Sequence, residues 1–192
     1  ESRLWSDSIR KSYDDDMQAE DETVRPHLPA TCSSVLDIGC GVAGFDTFIR
    51  NHYRAPFDLY LLDKTGADDK IHYDFESKAS FYNSLDVARR LLRANGFAEE
   101  RIHLIEVRPD MSIPIQGPVD VVVSLISWGF HYPVSTYLDR VHELLSPTGR
   151  LILDVRRGTS GRSEVAAKFA HCEVIDTKPA WKARSVTVRV RV

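Results

Sequence analysis

Apolar residues recur along this chain in two rhythms. Short apolar runs read as strands: Ser34-Val35-Leu36-Asp37-Ile38, running straight into glycines, then Phe57 to Leu62, Arg101 to Val107, Val119 to Leu125 and Leu151 to Val155. The fourth is nearly continuous in valine, as suits a strand covered on both faces. Between the strands lie segments with helical spacing. Residues 45–53 can form a short helix. Leu85, Ala88, Leu92 and Asn95 repeat at helical intervals and Gly96 supplies a stop. Pro133 can open the next helix, where its missing N–H costs nothing, with Val134, Leu138, Val141 and Leu145 facing the core. Residues 161–170 can make another short helix. Two strands close the chain, Cys172 to Thr177 and Arg184 to Val192, joined through Pro179. The second sets Val186, Val188, Val190 and Val192 against Ser185, Thr187, Arg189 and Arg191. Alternating strands and helices predict an α/β fold: a doubly wound, seven-stranded, mostly parallel sheet with helices on both faces and an antiparallel last strand.

Two stretches fall outside that alternation. Trp5, Ile9, Tyr13 and Met17 recur every fourth residue and so share one helix face. Residues 1–30 are therefore expected to form a helical extension or lid, ending at the connector prolines Pro26 and Pro29, with residues 31–192 as the ligand-binding domain. Asp14, Asp15 and Asp16 point in different directions on a helix, so no metal site is expected there. Residues 64–80 are polar and irregular. With Tyr73, Phe75, Phe81, Tyr82 and Asn83 they form an aromatic-rich insertion, either a satellite packing cluster or the wall of a substrate pocket.

Composition narrows the function classes. The 192 residues are 43% hydrophobic and 28% charged, which is globular and within the size of one domain. No run of about 18 apolar residues exists to span a membrane, and the opening ESRLWSDSIRK has no signal core. Cys32, Cys40 and Cys172 stand far apart, with no CxxC and no Cys/His cluster, so a reducing cytoplasm is the expected setting. The histidines show no HExxH spacing, and Ser127 lies in no G-x-S-x-G elbow, so neither a metal centre nor a hydrolase triad is expected. The net charge of −3 argues against a nucleic-acid partner. The charge is uneven, however. Residues 1–30 carry eight acids and four bases, whereas residues 150–192 carry ten bases and four acids. That end of the chain is either solvated surface or a basic rim that attracts an anionic substrate.

The sharpest local signal is Val35-Leu36-Asp37-Ile38-Gly39-Cys40-Gly41-Val42-Ala43-Gly44. A strand enters and a helix leaves, and Gly39, Gly41 and Gly44 satisfy G-x-G-x-x-G. Asp63 ends the second strand 19 residues after Gly44, where an acid accepts hydrogen bonds from ribose hydroxyls. These two features imply an adenosine-type ligand without naming it. Asp37, two residues before Gly39, separates the candidates. A dinucleotide brings a pyrophosphate to this turn, which a nearby carboxylate repels. A ligand with an ammonium and a sulfonium group is instead attracted. With Asp37, Gly39 and Gly41, then Asp63, then the turn Leu145-Ser146-Pro147-Thr148-Gly149-Arg150-Leu151 before strand five, the chain resembles the class I S-adenosylmethionine-dependent methyltransferases over roughly residues 33–192. Two other readings stay open: an NAD(P)-dependent oxidoreductase, and an S-adenosylmethionine-binding regulatory module without catalysis.

The resemblance implies S-adenosylmethionine as cofactor and assigns residues to it. Asp37 would position the methionine amino group. Gly39 and Gly41 would give backbone room for the methionine portion, and Cys40 and Gly44 of the same turn are also assigned to cofactor binding. Asp63 would bind the ribose with Lys64 beside it, and Val107 and Arg108 after strand three would flank the adenine. Ser124 and Leu125 would lie under the sulfonium. The segment Ser124-Leu125-Ile126-Ser127-Trp128-Gly129-Phe130-His131-Tyr132-Pro133 reads as a loop at the ligand end of the sheet, and loops there carry function. His131 is the candidate general base for an acceptor proton, and Trp128 and Tyr132 are candidate substrate contacts. No Asn/Asp-Pro-Pro-aromatic motif follows strand four. The expected reaction is therefore O-methylation of a small molecule, such as a sugar or secondary metabolite, with no nucleic acid and no membrane as partner.

Overall fold

The computed structural model describes residues 2–67, 82–179 and 186–191, with side-chain surroundings for residues 10–66 and 83–176. The chain opens with helix α1 (Ser2–Val24), strand β1 (Ser34–Ile38), helix α2 (Gly44–His52) and strand β2 (Asp58–Asp63). Two short strands, β3 (Gly66–Ala67) and β4 (Tyr82–Asn83), bracket the insertion, and α3 (Leu85–Ala94) follows. Next come β5 (Ile102–Glu106), β6 (Val119–Ser124), β7 (Ser127–Tyr132), α4 (Leu138–Leu144) and β8 (Leu145–Arg156). Helix α5 (Gly161–Lys168) and strands β9 (Glu173–Pro179) and β10 (Val186–Arg191) complete the fold.

The main sheet runs in the order β5-β2-β1-β6-β8-β10-β9. Its first five strands are mutually parallel. Strand β10 is antiparallel to β8 and β9 is antiparallel to β10. Five strands form the contiguous parallel block, and the C-terminal hairpin extends it at one edge to seven. The α/β architecture is present, and its two faces can be read residue by residue. Val35, Leu59, Leu61, Val121, Val123 and Ile152 pack under α2 and α3 with Phe45, Ile49, Ala88 and Leu92. Their alternates Leu36, Ile38, Leu62, Val122, Leu151, Leu153 and Val155 pack against Leu138, Val141, Leu144 and Val165 of α4 and α5. Period-two alternation delivers successive side chains to opposite faces. A central strand flanked by helices on both faces must therefore be apolar at nearly every position. Val121, Val122 and Val123 are each 0% exposed, and burial of such a side chain contributes roughly 1.5–3 kcal/mol.

Three boundaries differ from expectation for identifiable reasons. The segment after β6 is not a loose loop but the extended strand β7, because polar fasteners seize it at its start. The buried Ser124 hydroxyl donates to the Ile38 carbonyl at 2.6 Å and accepts the Trp128 N–H at 3.0 Å. Asp154 Oδ2 accepts the Ile126 N–H at 3.1 Å. Gly129 then lets β7 lie on β8: a Cβ there would sit 2.8 Å from the Asp154 carbonyl oxygen. Second, the Leu145–Gly149 turn is absorbed into β8, where Leu145 already pairs with Val119 across a register shift. Third, Pro133 opens a 3-10 turn at Val134–Thr136, and the α-helix proper begins only at Leu138.

Helix α1 packs against α2, with Met17 against the same core as Ile49. Tyr73, Phe75 and Phe81 lie outside the described residues, as do the side chains of Trp5, Ile9 and Tyr82. Among the described residues no helix is long and apolar enough to cross a membrane. The three cysteines are free.

Candidate functional site

The carboxyl ends of β1 and β2 meet at the glycine turn. Gly39 has φ +79°, and its N–H donates to the Leu62 carbonyl at 2.7 Å. A Cβ at this position would fall 1.8 Å from the Ser127 hydroxyl, so no other residue fits between β1 and the start of β7. Above Gly41 the situation is the reverse: a Cβ there would meet nothing within 4 Å, so this is open space beside backbone. At Gly44 the ring of Tyr13, carried in by α1, fills the room a Cβ would need, its hydroxyl 1.9 Å from that position.

Three carboxyl groups converge on this turn. Asp37 is 5% exposed, Asp63 4%, and Asp46, in the first turn of α2, 0%. Asp37 and Asp46 face each other through the α2 side of the sheet. Burial and then the neighbouring Asp46 and Asp63 push the Asp37 carboxyl well above the usual carboxylate range. Burial raises Asp46 to about 7 against a hydrogen bond with Asp37 that lowers it. Two carboxyls so placed cannot both ionise cheaply. Asp63 is raised by burial, and the backbone N–H groups of Gly41 and Lys64, each donating to it at 2.7 Å, pull it back down. Cys40 lies among all three acids. Burial first and then Asp37, Asp63 and Asp46 hold its thiol well above the ordinary value, so it is a poor nucleophile.

Asp46 is an acid that the sequence does not single out. An acid in the first turn of a helix is usual because it complements the helix dipole. Nothing in the sequence shows that this one turns inward beneath Asp37.

The other assigned positions divide. Lys64 is exposed beside Asp63. The Val107 N–H donates to the Asp63 carbonyl at 3.0 Å, which ties β5 to the tip of β2, and Arg108 is exposed beyond it. Glu106 Oε1 accepts the Thr65 N–H at 2.7 Å, closing the same corner. Leu125 packs on the α2 side of the core. Ser124 is 0% exposed, with its hydroxyl fully engaged as a fastener between β1 and β7. Trp128 requires a correction. It is 0% exposed, its indole N–H donates to the Val134 carbonyl at 2.9 Å, and its ring meets Tyr137 edge-on. It is a core side chain rather than a substrate contact. An indole with its one donor satisfied is as suited to a core as to a pocket, and sequence spacing does not separate the two.

Strand β7 instead presents different residues to its two sides. Ser127 rests on Gly39, and its hydroxyl is 3.5 Å from that of Tyr132. Burial raises the Tyr132 phenol, the Ser127 hydroxyl lowers it, and the Asp63 charge raises it further. His131 feels another partner. Burial and then the Arg156 guanidinium lower its imidazole, and its ring meets Phe130 edge-on. Arg156 lies over the Phe130 ring, 4.8 Å from its centroid. Just before β7, Ile126 holds φ +51° and is 44% exposed, an unusual conformation for a β-branched residue. Among the described residues no group of three or more His, Cys, Asp or Glu is arranged to hold a metal ion.

No protein-family model matches the chain, and no curated protein matches it by sequence. Solved structures do match. A precorrin-6y C5,15-methyltransferase from Geobacter metallireducens superimposes with TM-score 0.60 over 91% of this chain and 86% of its own, at 14% identity. An rRNA methylase from Streptococcus thermophilus does so at 0.55, over 90% and 92%, at 12% identity. A TehB-like S-adenosylmethionine-dependent methyltransferase from Corynebacterium glutamicum gives 0.53 over 99% and 98%, at 13% identity. The chain shares the fold of these methyltransferases. The likeness spans nearly the whole chain in each case, while the proteins themselves are named for precorrin and for rRNA, so this fold does not select an acceptor.

Proposed function

We propose that this protein is an S-adenosylmethionine-dependent methyltransferase that O-methylates a small molecule, such as a sugar or secondary metabolite. The carrying observation is the set of three buried carboxyls around a glycine turn with open space over Gly41. Buried acids pressed together need a cation, and the methionine end of S-adenosylmethionine supplies an ammonium beside a sulfonium. A dinucleotide fits poorly on two counts. Its pyrophosphate would face Asp37, Asp46 and Asp63, and the Gly41 N–H that would cradle it is already bound to Asp63. Asp63 itself has capacity left, since a carboxylate offers about four acceptor positions and two are used. That leaves room for ribose hydroxyls.

S-adenosylmethionine would supply an electrophilic methyl group. The protein's own part is to hold and exclude. Asp37 and Asp46 would hold the ammonium group, and Asp63 the ribose. Cys40 and Gly41 give the methionine portion its space, Gly39 seats Ser127 beside it, and Val107 and Arg108 edge the adenine side. His131, neutral at physiological pH because its imidazole is lowered, would take the proton of the acceptor hydroxyl, and Tyr132 would contact the acceptor from the crevice side. A small acceptor agrees with the two cavities at this end of the sheet, one of about 320 Å³ at the end of β8 and one of about 240 Å³ lined in part by Gly129 of β7.

Calorimetry with S-adenosylmethionine, S-adenosylhomocysteine and NADH tests the cofactor. Binding of the first two with a raised melting temperature is expected. Tight NADH binding with no response to the others would defeat the proposal. A metabolite panel read by mass spectrometry for a gain of one methyl group then identifies the acceptor.

A further inference from the structure

The corner where β8 leaves the sheet and α5 begins is built unlike the rest of the ligand end. Val155, Arg156, Arg157, Gly158, Thr159, Arg162 and Val174 line an open cavity of about 320 Å³, with three guanidinium-bearing residues and, among the described residues, no carboxylate in its lining. The loop has a defined shape: the Thr159 hydroxyl donates to the Arg156 carbonyl at 2.8 Å, and Gly158 takes φ +86°. Arg156 is fixed over Phe130. Among the described residues neither Arg157 nor Arg162 makes an ion pair. Of the acids that flank this lining in sequence, Asp154 is buried with its Oδ2 on the Ile126 N–H, Glu173 has its Oε2 3.6 Å from His171 Nε2, and Glu164 accepts a hydrogen bond from the Ser160 hydroxyl and lines a second cavity. That second cavity, of about 240 Å³, shares Thr159 with the first and runs along Gly129, Pro133 and Val134 beside β7.

The position matters as much as the charge. Arg156 touches both sides of the problem: it helps to line the cationic cavity, and it lies over Phe130 and lowers the imidazole of His131. A molecule anchored in the cavity therefore has its remainder directed along β7, the strand that carries the candidate base and Tyr132. Guanidinium groups bind oxyanions through paired N–H donors, and a cavity of this size accommodates a single anionic group with a small body attached. We propose that the arginine corner binds a carboxylate or phosphate group of the methyl acceptor, which makes the acceptor an acidic small molecule. The proposal rests on the methyltransferase reading for the word acceptor, but the anion site itself does not.

The test therefore has two arms. In the first, inorganic phosphate and malonate are titrated calorimetrically into the protein without any adenosyl ligand, at constant ionic strength, beside an Arg157→Gln/Arg162→Gln double variant and an Arg54→Gln control at an exposed site elsewhere. Saturable binding is expected for wild type and control, weakened roughly tenfold or more in the double variant, with partial recovery in Arg157→Lys/Arg162→Lys. Phosphate above malonate would point to a phosphorylated acceptor, and the reverse to a carboxylic acid. In the second arm, acidic acceptors and their neutral methyl esters are compared with S-adenosylmethionine present. The double variant is expected to raise KM for the acid while keeping kcat, and to leave the ester unchanged. S-adenosylhomocysteine binding, measured on every variant, reports folding and separates the two ideas. If it fails while phosphate binds, the methyltransferase reading falls and the anion site stands. If it succeeds while neither phosphate nor malonate binds the wild type, the anion site is overturned. It is equally overturned if a single-stranded RNA oligonucleotide displaces phosphate and binds far more tightly, since the cationic corner would then serve a nucleic-acid backbone.

Discussion

The glycine turn and the β8–α5 corner both stand at the carboxyl end of the sheet, yet charge is handled in opposite ways. At the turn, Asp37, Asp46 and Asp63 are at most 5% exposed, and burial pushes every one of them upward. At the corner, Arg157 and Arg162 are exposed. Buried acids carry a conditional charge, so their state depends on pH and on the arrival of a cation. Exposed arginines carry a permanent charge that salt screens within about 10 Å. The turn is thus suited to gripping one ligand tightly, and the corner to sampling ligands that exchange. Cofactor affinity is expected to respond to pH, and acceptor affinity to ionic strength.

The largest effect is expected from filling the turn. Gly39→Val places a branched side chain at φ +79° where a single Cβ would already fall 1.8 Å from the Ser127 hydroxyl. Backbone strain and overpacking each cost roughly 1–3 kcal/mol. Thermal denaturation should show a variant destabilised by several kcal/mol, with S-adenosylhomocysteine binding abolished. A wild-type melting temperature would mean that β7 stands clear of β1.

His131→Ala separates catalysis from scaffold on the corner side. Turnover is expected to drop about 10²–10⁴-fold, the range of general acid–base catalysis, while cofactor affinity stays near wild type. Because burial and Arg156 lower the imidazole, the wild-type rate should climb with pH through an inflection below the ordinary 6.5 and then level off. The variant should lose that limb. If it is less stable yet retains the same pH profile, His131 only packs, and Tyr132 inherits the search for a base.

Asp63→Ala probes the turn more gently. It removes the acceptor of the Gly41 and Lys64 N–H groups along with the proposed ribose contact. Cofactor binding should weaken by about 1–3 kcal/mol, the scale of hydrogen bonds to charged groups, with core packing intact. Unchanged affinity in a folded variant would move the ribose away from β2.

Much of the contrast between turn and corner is legible in the amino-acid order alone. The alternation of strands and helices announces the sheet, because strands buried on both faces leave an unmistakable valine-rich run at Val121, Val122 and Val123. The turn is legible because its glycines and Asp37 stand close together in sequence. What stays hidden depends on contacts between distant parts of the chain. Asp46 reads as an ordinary helix-start acid until α2 is laid on β1. Trp128 reads as a pocket residue until its indole is seen bonded to Val134. The strand β7 reads as a loop because its fasteners, Ser124 and Asp154, come from β6 and β8. The arginine corner shows in the sequence only as a charge bias, since a cavity is a property of the folded loop.

The smallest expected effect is a pH slope, and it tests the idea of conditional charge at the turn directly. Asp46 has a folded pKa of about 7 against an ordinary 3.8. A group raised on folding lends its stability fully below the unfolded value, and that stability is lost as pH rises through the folded one. Between about pH 4 and pH 7 the unfolded chain has released this proton and the folded chain has not, so melting temperature should decline across that window. Asp37 is raised in the same sense and adds to the decline. Asp46→Asn removes one of the two acids and gives Asp37 an amide donor, so the slope should flatten. S-adenosylmethionine brings a cation to the ionised pair, so at pH 7.5 it should raise the melting temperature more in wild type than in Asp46→Asn. If the two proteins show the same slope and the same ligand response, the carboxyl pair is a packing detail, and the cation must be held by Asp37 alone.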